Sequence, residues 1–136
     1  MMQRIPFTIA ALCLSAAAQA GSPTGLLGAY AGEAAASLPA YAGPSAAAGD
    51  RFFHQVRKDW SCASCHTADP RRTGTHAVTG KAIQPLAPAA NPARFQDRAK
   101  ADKWFRRNCN DTLGRECTAA EKADVLAYLL SLGGAR

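Results

Sequence analysis

The chain is poor in large apolar side chains. Aromatic residues make up 7% of its 136 residues, and much of the 48% hydrophobic fraction is alanine. That fraction excludes wholesale disorder, and the length allows one small domain. Because the core of such a domain is small, we expect a disulfide, a metal or a large cofactor to help stabilise it.

The sequence also lacks a concentrated charge of one sign. Sixteen residues are Lys or Arg and 10 are Asp or Glu, which gives a formal net charge of +6. The basic residues are scattered, and Arg71-Arg72 and Arg106-Arg107 are pairs rather than a patch. With no nucleic-acid-binding motif besides, nucleic acid is not an expected partner.

Both methionines lie in a segment that has the features of a secretory signal peptide. Residues 1–20 contain a positive charge at Arg4, then an uncharged apolar stretch, and end in Ala18-Gln19-Ala20, an A-x-A cleavage pattern. The apolar stretch is shorter than the roughly 20 residues of a membrane anchor. We therefore expect export to a bacterial periplasm, cleavage before Gly21, and a mature protein with no membrane anchor and no methionine.

Cleavage would also remove Cys13, so that four of the five cysteines remain. These are Cys62, Cys65, Cys109 and Cys117. Export places them in a compartment where disulfides form and persist.

The segment Cys62-Ala63-Ser64-Cys65-His66 is C-x-x-C-H, the attachment pattern of c-type haem. Two thiols at this spacing reach the two vinyl groups on one edge of the porphyrin and form thioethers. The next residue, His66, is then placed under the iron as its proximal ligand. We predict one covalent haem c, bound by Cys62 and Cys65, with His66 on the iron.

Two other uses of C-x-x-C fit the sequence less well. A thioredoxin-like dithiol opens a helix after a strand, and no strand pattern precedes Cys62. Half of a zinc site needs further partners at short spacing, and His76 is the one candidate. Together with the export signal, the motif favours a cytochrome c.

The fold class expected is all-α, a small domain of the class I cytochrome c type wrapped around one haem. Residues 45–136 would form this domain, after a short helix near residues 23–37 and an Ala/Gly/Pro-rich linker that together occupy residues 21–44. Residues 67–92 contain four prolines and two glycines. We expect this span to be ordered mostly by wrapping the haem.

Three helices are predicted inside the cytochrome domain. The first covers residues 45–58, and the second covers residues 92–107 with Asn91 as N-cap and Pro92 at its first position. The third begins at the capping box Thr118-x-x-Glu121 and stops at Gly133-Gly134. The first and last helices are expected to cross, with Gly49 allowing their close approach.

The mature chain has no methionine to serve as the sixth iron ligand, the usual choice in a small electron-transfer cytochrome c. Nitrogen and oxygen donors remain as alternatives, and an open position with water is another. The donors are His54, His76, the lysines, Asn91, Asn108 and Asn110. His54 fits a surface histidine better than a ligand, whereas bis-histidine ligation through His76 stays open.

Several further stretches point to a specific family. They are Thr79-Gly80-Lys81-x-Ile83-x-Pro85-Leu86-Ala87-Pro88, Asn91-Pro92-x-Arg94-Phe95, Lys103-Trp104-Phe105-x-Arg107-Asn108-Cys109 and Gly114-Arg115-x-Cys117-Thr118. With the haem motif, the chain from about residue 49 to 132 resembles the sphaeroides haem protein type of cytochrome c. Members of that family are high-spin, ligand-binding relatives of class I cytochromes.

The resemblance implies particular roles. In the family, the asparagine of the Trp-x-x-x-Asn-Cys stretch is the distal ligand of ferric iron, which corresponds here to Asn108. Two extra cysteines form a disulfide beside the distal pocket, here Cys109 and Cys117. The resemblance also implies binding of O₂, NO or CO by the reduced haem, and a redox partner that is a membrane or soluble cytochrome.

Simpler interpretations stand beside these roles. Asn108 fits a residue near a helix C-terminus, where Asn is favoured. The disulfide is sufficiently explained as a structural bridge in an exported domain, although opening it could also gate the neighbouring ligand. At the level of function, a low-spin electron carrier with His or Lys as sixth ligand is the alternative. No acid–base residue suggests peroxide chemistry, so we do not expect an enzyme.

Overall fold

Five helices and one short antiparallel hairpin make up the regular structure of residues 21–133, the part of the chain that the computed structural model describes. They are α1 (Pro23–Ser37), α2 (Ala46–His54), α3 (Cys62–His66), β1 (Gly74–Thr75), β2 (Ala82–Ile83), α4 (Arg98–Leu113) and α5 (Ala119–Ser131). The predicted signal peptide and Gly134 lie outside the described residues. None of the described helices is long and apolar enough to cross a bilayer.

Helix α5 is buried on two sides. On one side Leu126 packs with Leu26 and Tyr30 of α1. On the other, Val125 and Leu129 form a second cluster with the fully buried Phe53 of α2. The all-α class is confirmed, with α5 at the centre of the core.

The predicted close crossing of α2 and α5 is also confirmed. A Cβ atom at Gly49 would overlap the carbonyl oxygen of Asp124 and lie 2.9 Å from the Cβ of Tyr128. The backbones of the two helices therefore touch at Gly49. Near this point the Ser45 amide donates a 2.7 Å hydrogen bond to the Asp124 carboxylate, which ties the start of α2 to α5.

Local signals placed the starts of two helices correctly. Ser45 caps α2, and Thr118 caps α5 through the predicted capping box with Glu121. The Glu121 carboxylate also pairs with Arg115 at 2.7 Å. Because each signal is completed within one helical turn, it can be recognised from neighbouring residues alone.

The predicted extent of α2 was too long. The helix ends at His54, and Val56, which follows it, is 64% exposed and is not part of the core. Arg57 and Trp60 pair in an isolated bridge around Lys58, whose φ is 52°. A turn in this conformation cannot continue a right-handed helix.

The prediction for α4 was wrong at both ends. Asp97, and not Asn91, is the N-cap, and the helix continues to Leu113. The Asn91 side chain instead donates a 3.3 Å hydrogen bond to the carbonyl of Pro85. Phe95 has φ 59°, a left-handed conformation that prevents a helix from running through residues 92–97. The Asn91 side chain, which the sequence pattern assigned to a helix cap, is thus used in a hydrogen bond to another loop residue instead.

Helix α1 has the bounds expected from the sequence and joins the core directly. Its Leu26, Tyr30 and Ala34 are buried. The Tyr30 hydroxyl donates a 2.8 Å hydrogen bond to the Asp102 carboxylate of α4, to which Lys122 of α5 also donates at 3.0 Å. Burial and the bond to Asp102 raise the pKa of Tyr30, so it stays a donor at any physiological pH.

The span 67–92 has more internal structure than predicted. β1 and β2 pair with Gly74 opposite Ile83 and Thr75 opposite Ala82. The carbonyl of Pro70 accepts hydrogen bonds from the amides of Leu86 and Ala87, at 2.8 and 2.9 Å. These bonds fold the span back on itself, and the polypeptide alone supplies part of its order.

Replacing Gly49 tests the helix crossing. Gly49→Ala is expected to lower the free energy of unfolding by roughly 1–3 kcal/mol, because the added methyl group must push α2 away from α5. Urea unfolding measures the loss. Gly32→Ala on α1 is the matched control, since a Cβ there meets nothing within 4 Å. The control should gain roughly 0.5–1 kcal/mol of helix propensity. Equal effects of the two variants would contradict the crossing.

His54 should make stability depend on pH. Its Nδ1 lies 2.9 Å from both the carbonyl and a carboxylate oxygen of Asp50, and its Nε2 lies 3.0 Å from the carbonyl of Ala68. Only an imidazolium donates from both nitrogens. Burial lowers the pKa of His54, but the hydrogen bonds to Ala68 and Asp50 and the Asp50 charge outweigh it and raise the pKa.

The sign of the effect follows from the raised pKa. The His54 contribution is fully present below the unfolded-state pKa of 6.5 and is lost as the pH rises through the higher folded-state pKa. The free energy of unfolding of the wild type should therefore exceed that of His54→Gln by more at about pH 5.5 than at about pH 8, two values on either side of the range in which an imidazole titrates. Asp50→Asn should reduce the difference. A difference independent of pH would show that His54 does not bond as an imidazolium.

Candidate haem-binding site

The attachment motif folds as one short helix because two reciprocal hydrogen bonds between Ser61 and Ser64 cap its N-terminus. The Ser61 hydroxyl accepts from the Ser64 amide at 3.2 Å, and the Ser64 hydroxyl accepts from the Ser61 amide at 3.0 Å. This capping box starts α3 directly at Cys62. Cys62, Cys65 and His66 thereby all lie within the five residues of α3. The sequence prediction did not include this helix, although its Ser-x-x-Ser pattern carries the signal.

Neither Cys62 nor Cys65 takes part in a disulfide among residues 21–133, and both are partly buried. Residues three apart lie on the same side of a helix, so the two sulfurs face one direction. Burial raises the pKa of the Cys62 thiol to about 11, while the charge of Arg57 opposes that rise. The Ala77 amide donates a 3.4 Å hydrogen bond to the Cys65 sulfur. These thiols fit thioether formation to a group that lies against their face of α3.

The His66 imidazole is held in its neutral form. Burial, followed by the charge of Arg94, lowers the pKa of His66 to about 4. A neutral imidazole has the lone pair that an iron ligand needs. The ring of Phe53 lies 6.5 Å from the His66 ring, which links the motif to the α2–α5 core.

The β1–β2 hairpin packs on the back of the motif. A Cβ at Gly74 would overlap the carbonyl oxygen of Cys65 and lie 3.1 Å from the Cα of His66. Only glycine therefore allows β1 to lie against α3 at this point. Sequence reasoning assigned no role to Gly74, because nothing near it in the chain indicates the contact.

Arg94 was also missed as a supporting residue. Its side chain donates to the carbonyls of Pro85 and Gln84, at 3.0 and 2.7 Å. Burial lowers the pKa of Arg94, and its charge acts on His66. The residue holds the 84–85 loop beside the proximal histidine, a role that no local spacing indicates.

Asn108 lies inside α4, five residues before Leu113, and the left-handed Gly114 provides the C-cap. The interpretation of Asn108 as a helix-end residue is therefore wrong. Its backbone carbonyl accepts a 2.9 Å hydrogen bond from the Thr112 hydroxyl, but its side-chain amide has no hydrogen-bond partner among residues 21–133. The amide of Asn110, by contrast, donates to the carbonyl of Arg106 at 2.9 Å.

Cys109 and Cys117 are joined by a disulfide in the structure, with their Cα atoms 5.6 Å apart. Both are buried, at 5% and 7% exposure. The bridge ties the part of α4 that contains Asn108 to the start of α5. Solvent has little access to either sulfur.

The two spare histidines occupy different places. His54 is bonded to α2 and to Ala68, as described above. His76 lies in the hairpin turn beside Cys65, where its Nδ1 accepts from the amides of Val78 and Thr79 at 3.3 and 3.2 Å. Neither histidine has a nitrogen hydrogen-bonded to His66 or Asn108, within the described part of the chain.

Apolar side chains from several elements lie around the motif, and their character shows whether a haem would fit there. Partly buried residues that pack on the Phe53 cluster are Phe52, Cys62, Ala63, Leu86, Phe95, Phe105 and Leu132. They come from α2, α3, α4, the 84–95 segment and the residue that follows α5, and each remains partly exposed. A flat, apolar macrocycle attached through two thioethers matches this surface and donor set. No hydrogen bond joins His66 to Asn108 in residues 21–133.

A family model described as "Domain of unknown function (DUF1924)" matches residues 39–129 of the chain. The match includes the C-x-x-C-H motif, the hairpin and most of α5. Helix α1 precedes it.

Two curated relatives match the central part of the chain. Cytochrome c-type protein SHP of Cereibacter sphaeroides is 56% identical over 69 residues, which cover 51% of this chain and 53% of that protein. Cytochrome c'' of Methylophilus methylotrophus is 50% identical over 74 residues, covering 54% and 51%. The chain thus spans about half the length of the curated relatives it matches.

Solved structures of the same two cytochromes resemble the whole fold. Oxidized cytochrome c'' from Methylophilus methylotrophus superposes with a TM-score of 0.75 and 41% identity over 80% of this chain and 93% of that chain. Oxidized SHP, described as an oxygen binding cytochrome c, gives 0.72 and 43% over 81% and 96%. The likeness therefore extends beyond the haem motif to the arrangement of the helices.

The fold, the C-x-x-C-H helix and these relatives agree on the cofactor, which is covalently bound haem c. The chain belongs to the DUF1924 family and is a small helical haem cytochrome of the sphaeroides haem protein and cytochrome c'' type.

Proposed function

We propose that this protein is an exported, periplasmic monohaem cytochrome c that binds small ligands such as O₂ or NO at the reduced iron and exchanges electrons with a redox partner. Asn108 would be a labile distal ligand of the ferric iron. The observation that carries the proposal is the Asn108 amide, which has no hydrogen-bond partner in the described residues and does not serve as a helix cap.

The proximal side would be formed entirely by α3. Cys62 and Cys65 would hold the porphyrin through thioethers, and His66 would bind the iron with its neutral imidazole. The Ala77 amide and the Gly74 backbone support this side from behind. The haem supplies an iron that changes between ferric and ferrous states and can take one further small ligand.

Asn108 suits the distal position because an amide is a weak ligand. Its oxygen is better matched to the harder ferric ion than to ferrous iron. The amide would therefore bind in the ferric protein and leave on reduction. Once displaced, its NH₂ group can donate a hydrogen bond to an incoming diatomic ligand.

The surroundings of Asn108 favour a small displacement over a large one. Next to it, the Cys109–Cys117 bridge attaches α4 to the residues just before α5. Toward the start of the helix, Asp102 accepts hydrogen bonds from Tyr30 and Lys122. With α4 held on both sides, ligand release needs only a side-chain rotation of Asn108.

His76 is a poorer distal ligand. Its Nδ1 accepts two amide hydrogen bonds, so a neutral ring carries its proton on Nε2. That nitrogen then has no lone pair for iron. His76 also lies on the hairpin that packs behind Cys65, on the same side of the motif as the proximal residues. This geometry argues against the low-spin carrier with a histidine as sixth ligand.

The descriptions of the related cytochromes also support ligand binding at the haem iron. SHP is described as an oxygen binding cytochrome c, and the solution structure of cytochrome c'' is described as giving insights into haem-ligand detachment. Periplasmic location rests on the signal-peptide pattern of residues 1–20. We assign no catalytic residue and propose ligand binding and electron exchange in place of an enzymatic reaction.

Asn108→Val tests the distal ligand. The ferric absorption spectrum should change, because the amide is removed from the iron. The affinity of the ferric protein for cyanide should rise about tenfold, since an internal competitor worth about 1.4 kcal/mol no longer has to be displaced. Spectra are recorded for the ferric and ferrous forms, before and after addition of CO.

The matched control is Asn110→Val, two residues along the same helix. Its amide is bonded to the Arg106 carbonyl, so this variant should keep the wild-type spectrum and cyanide affinity. If Asn108→Val kept the ferric spectrum and the ferrous NO binding of the wild type, Asn108 would not be the distal ligand. A wild-type protein that is low-spin in both states and does not react with CO would favour the electron carrier.

Removing the disulfide separates its structural role from gating. The double variant Cys109→Ala/Cys117→Ala should unfold with roughly 2.5 kcal/mol less free energy, the chain-entropy value for a loop of this length. Because both sulfurs are buried, we expect a structural bridge, so the rate of CO binding to the ferrous form should stay that of the wild type. A large change in that rate in the variant, and also after dithiothreitol treatment of the wild type, would indicate gating.

A further inference from the structure

The outer face of α4 carries three positive side chains without an ionic partner. Lys100, Lys103 and Arg107 are exposed, and none of them forms a salt bridge among the described residues 21–133. On the same helix Arg98 pairs with acidic side chains of α1 and α4, and Arg106 pairs with Glu116. The absence of partners is therefore specific to one face.

The three cations lie together on that face, which we call the cationic face. Successive residues turn by about 100°, so positions 100, 103 and 107 share one side of the helix and span roughly 10 Å. Trp104 borders them, is 43% exposed, and has the guanidinium carbon of Arg107 5.7 Å from its ring centroid. Trp104 is also one turn before Asn108. The cationic face therefore begins beside the residue proposed as distal ligand.

Acidic residues flank the cationic face only at its ends. The Asp97 carboxylate accepts a 2.9 Å hydrogen bond from the Lys100 amide and caps the helix. Asp111 is exposed one turn after Arg107. Between these carboxylates, the two turns from Lys100 to Arg107 carry only positive charges on this face. The surface is thus locally positive and bounded along α4 by a carboxylate at each end.

We propose that the cationic face of α4 is the docking surface for an acidic protein that exchanges electrons with the haem, an inference that rests on the proposed electron exchange. Unpaired surface charges attract an oppositely charged partner and speed its association. Trp and Arg are the residue types that dominate binding energy in protein interfaces. A partner bound there lies next to the side of α4 that carries Asn108.

The remainder of α4 argues against a lipid surface as the occupant. An interfacial helix buries its apolar face in the membrane. In α4 that face is already used, because Ala101 and Phe105 pack in the core with Tyr30. Apart from Trp104, the cationic face offers polar side chains, which suits recognition of another protein.

Charge reversal tests the proposal with a defined probe. The double variant Lys100→Glu/Lys103→Glu places acidic residues in the first two turns of α4, where they also favour the helix electrostatically, so the fold should be retained. Reduced flavodoxin, an acidic redox protein, serves as electron donor. At low ionic strength the second-order rate constant for haem reduction should fall about tenfold, and the difference should vanish at high salt because of screening.

The matched control is Arg51→Glu/Lys81→Glu. It changes the net charge equally at two exposed cations of α2 and the hairpin that form no salt bridge in the described residues. At an ionic strength of about 0.1 M, where the Debye length is about 10 Å, its rate constant should stay within about twofold of the wild type, because charges away from the docking surface are then largely screened. Photoreduced lumiflavin, a small uncharged donor, should reduce all variants equally. If the rate constant for reduction by flavodoxin fell equally in both double variants, the effect would be one of net charge alone, and the proposal would be overturned.

A binding measurement distinguishes this inference from the proposed function. Oxidised flavodoxin, which transfers no electron, should shift the backbone amide NMR signals of residues 100–108 in wild type and not in Lys100→Glu/Lys103→Glu. Failure of lumiflavin to reduce the wild type would overturn the electron exchange, whereas these shifts would still support the docking surface. Shifts confined to other residues would overturn the docking surface. So would a double variant that no longer binds phosphatidylglycerol vesicles but keeps the wild-type rate of reduction by flavodoxin.

Discussion

The contact between the backbones of α2 and α5 at Gly49 is the constraint on which the rest of the structure depends. Because no side chain separates Gly49 from the carbonyl of Asp124, the two helices approach closely enough to bury Phe53 completely. Helix α3 follows α2 in the chain and packs on the same cluster through Cys62 and Ala63. The place of the haem-attachment motif is thus set by a helix crossing to which it contributes no residue.

Helix α4 is attached in a different way, through side chains. The Cys109–Cys117 bridge connects it covalently to the segment that leads into α5, and Asp102 connects it to Tyr30 and Lys122 by hydrogen bonds. These links hold the helix, while the side-chain amide of Asn108 forms no hydrogen bond with any of residues 21–133. A side chain that is held in place yet unpartnered is what a weak, exchangeable ligand requires, since no protein hydrogen bond competes with the iron.

The accuracy of the sequence predictions depended on whether a signal is completed locally. The Thr118 capping box needs only Glu121, one turn away, and it marks the start of α5 correctly. Asn91 before a proline is an equally good local signal for a helix, but its amide bonds to Pro85 and no helix starts there. Phe95 then takes a left-handed conformation that no residue pattern announces. Tertiary partners outcompeted the local preference at this position.

The sequence by itself determined the attachment chemistry and the problem of the sixth ligand. The C-x-x-C-H spacing and the lack of methionine outside the predicted signal peptide are properties of chain order, so they need no knowledge of the fold. Only the tertiary structure decided which of the candidate donors are occupied by hydrogen bonds. It engages Nδ1 of His76 in the hairpin turn and leaves the amide of Asn108 unbonded in the described residues. The physical reason is that a donor's availability depends on hydrogen bonds made after the chain has folded, whereas its position in the sequence does not.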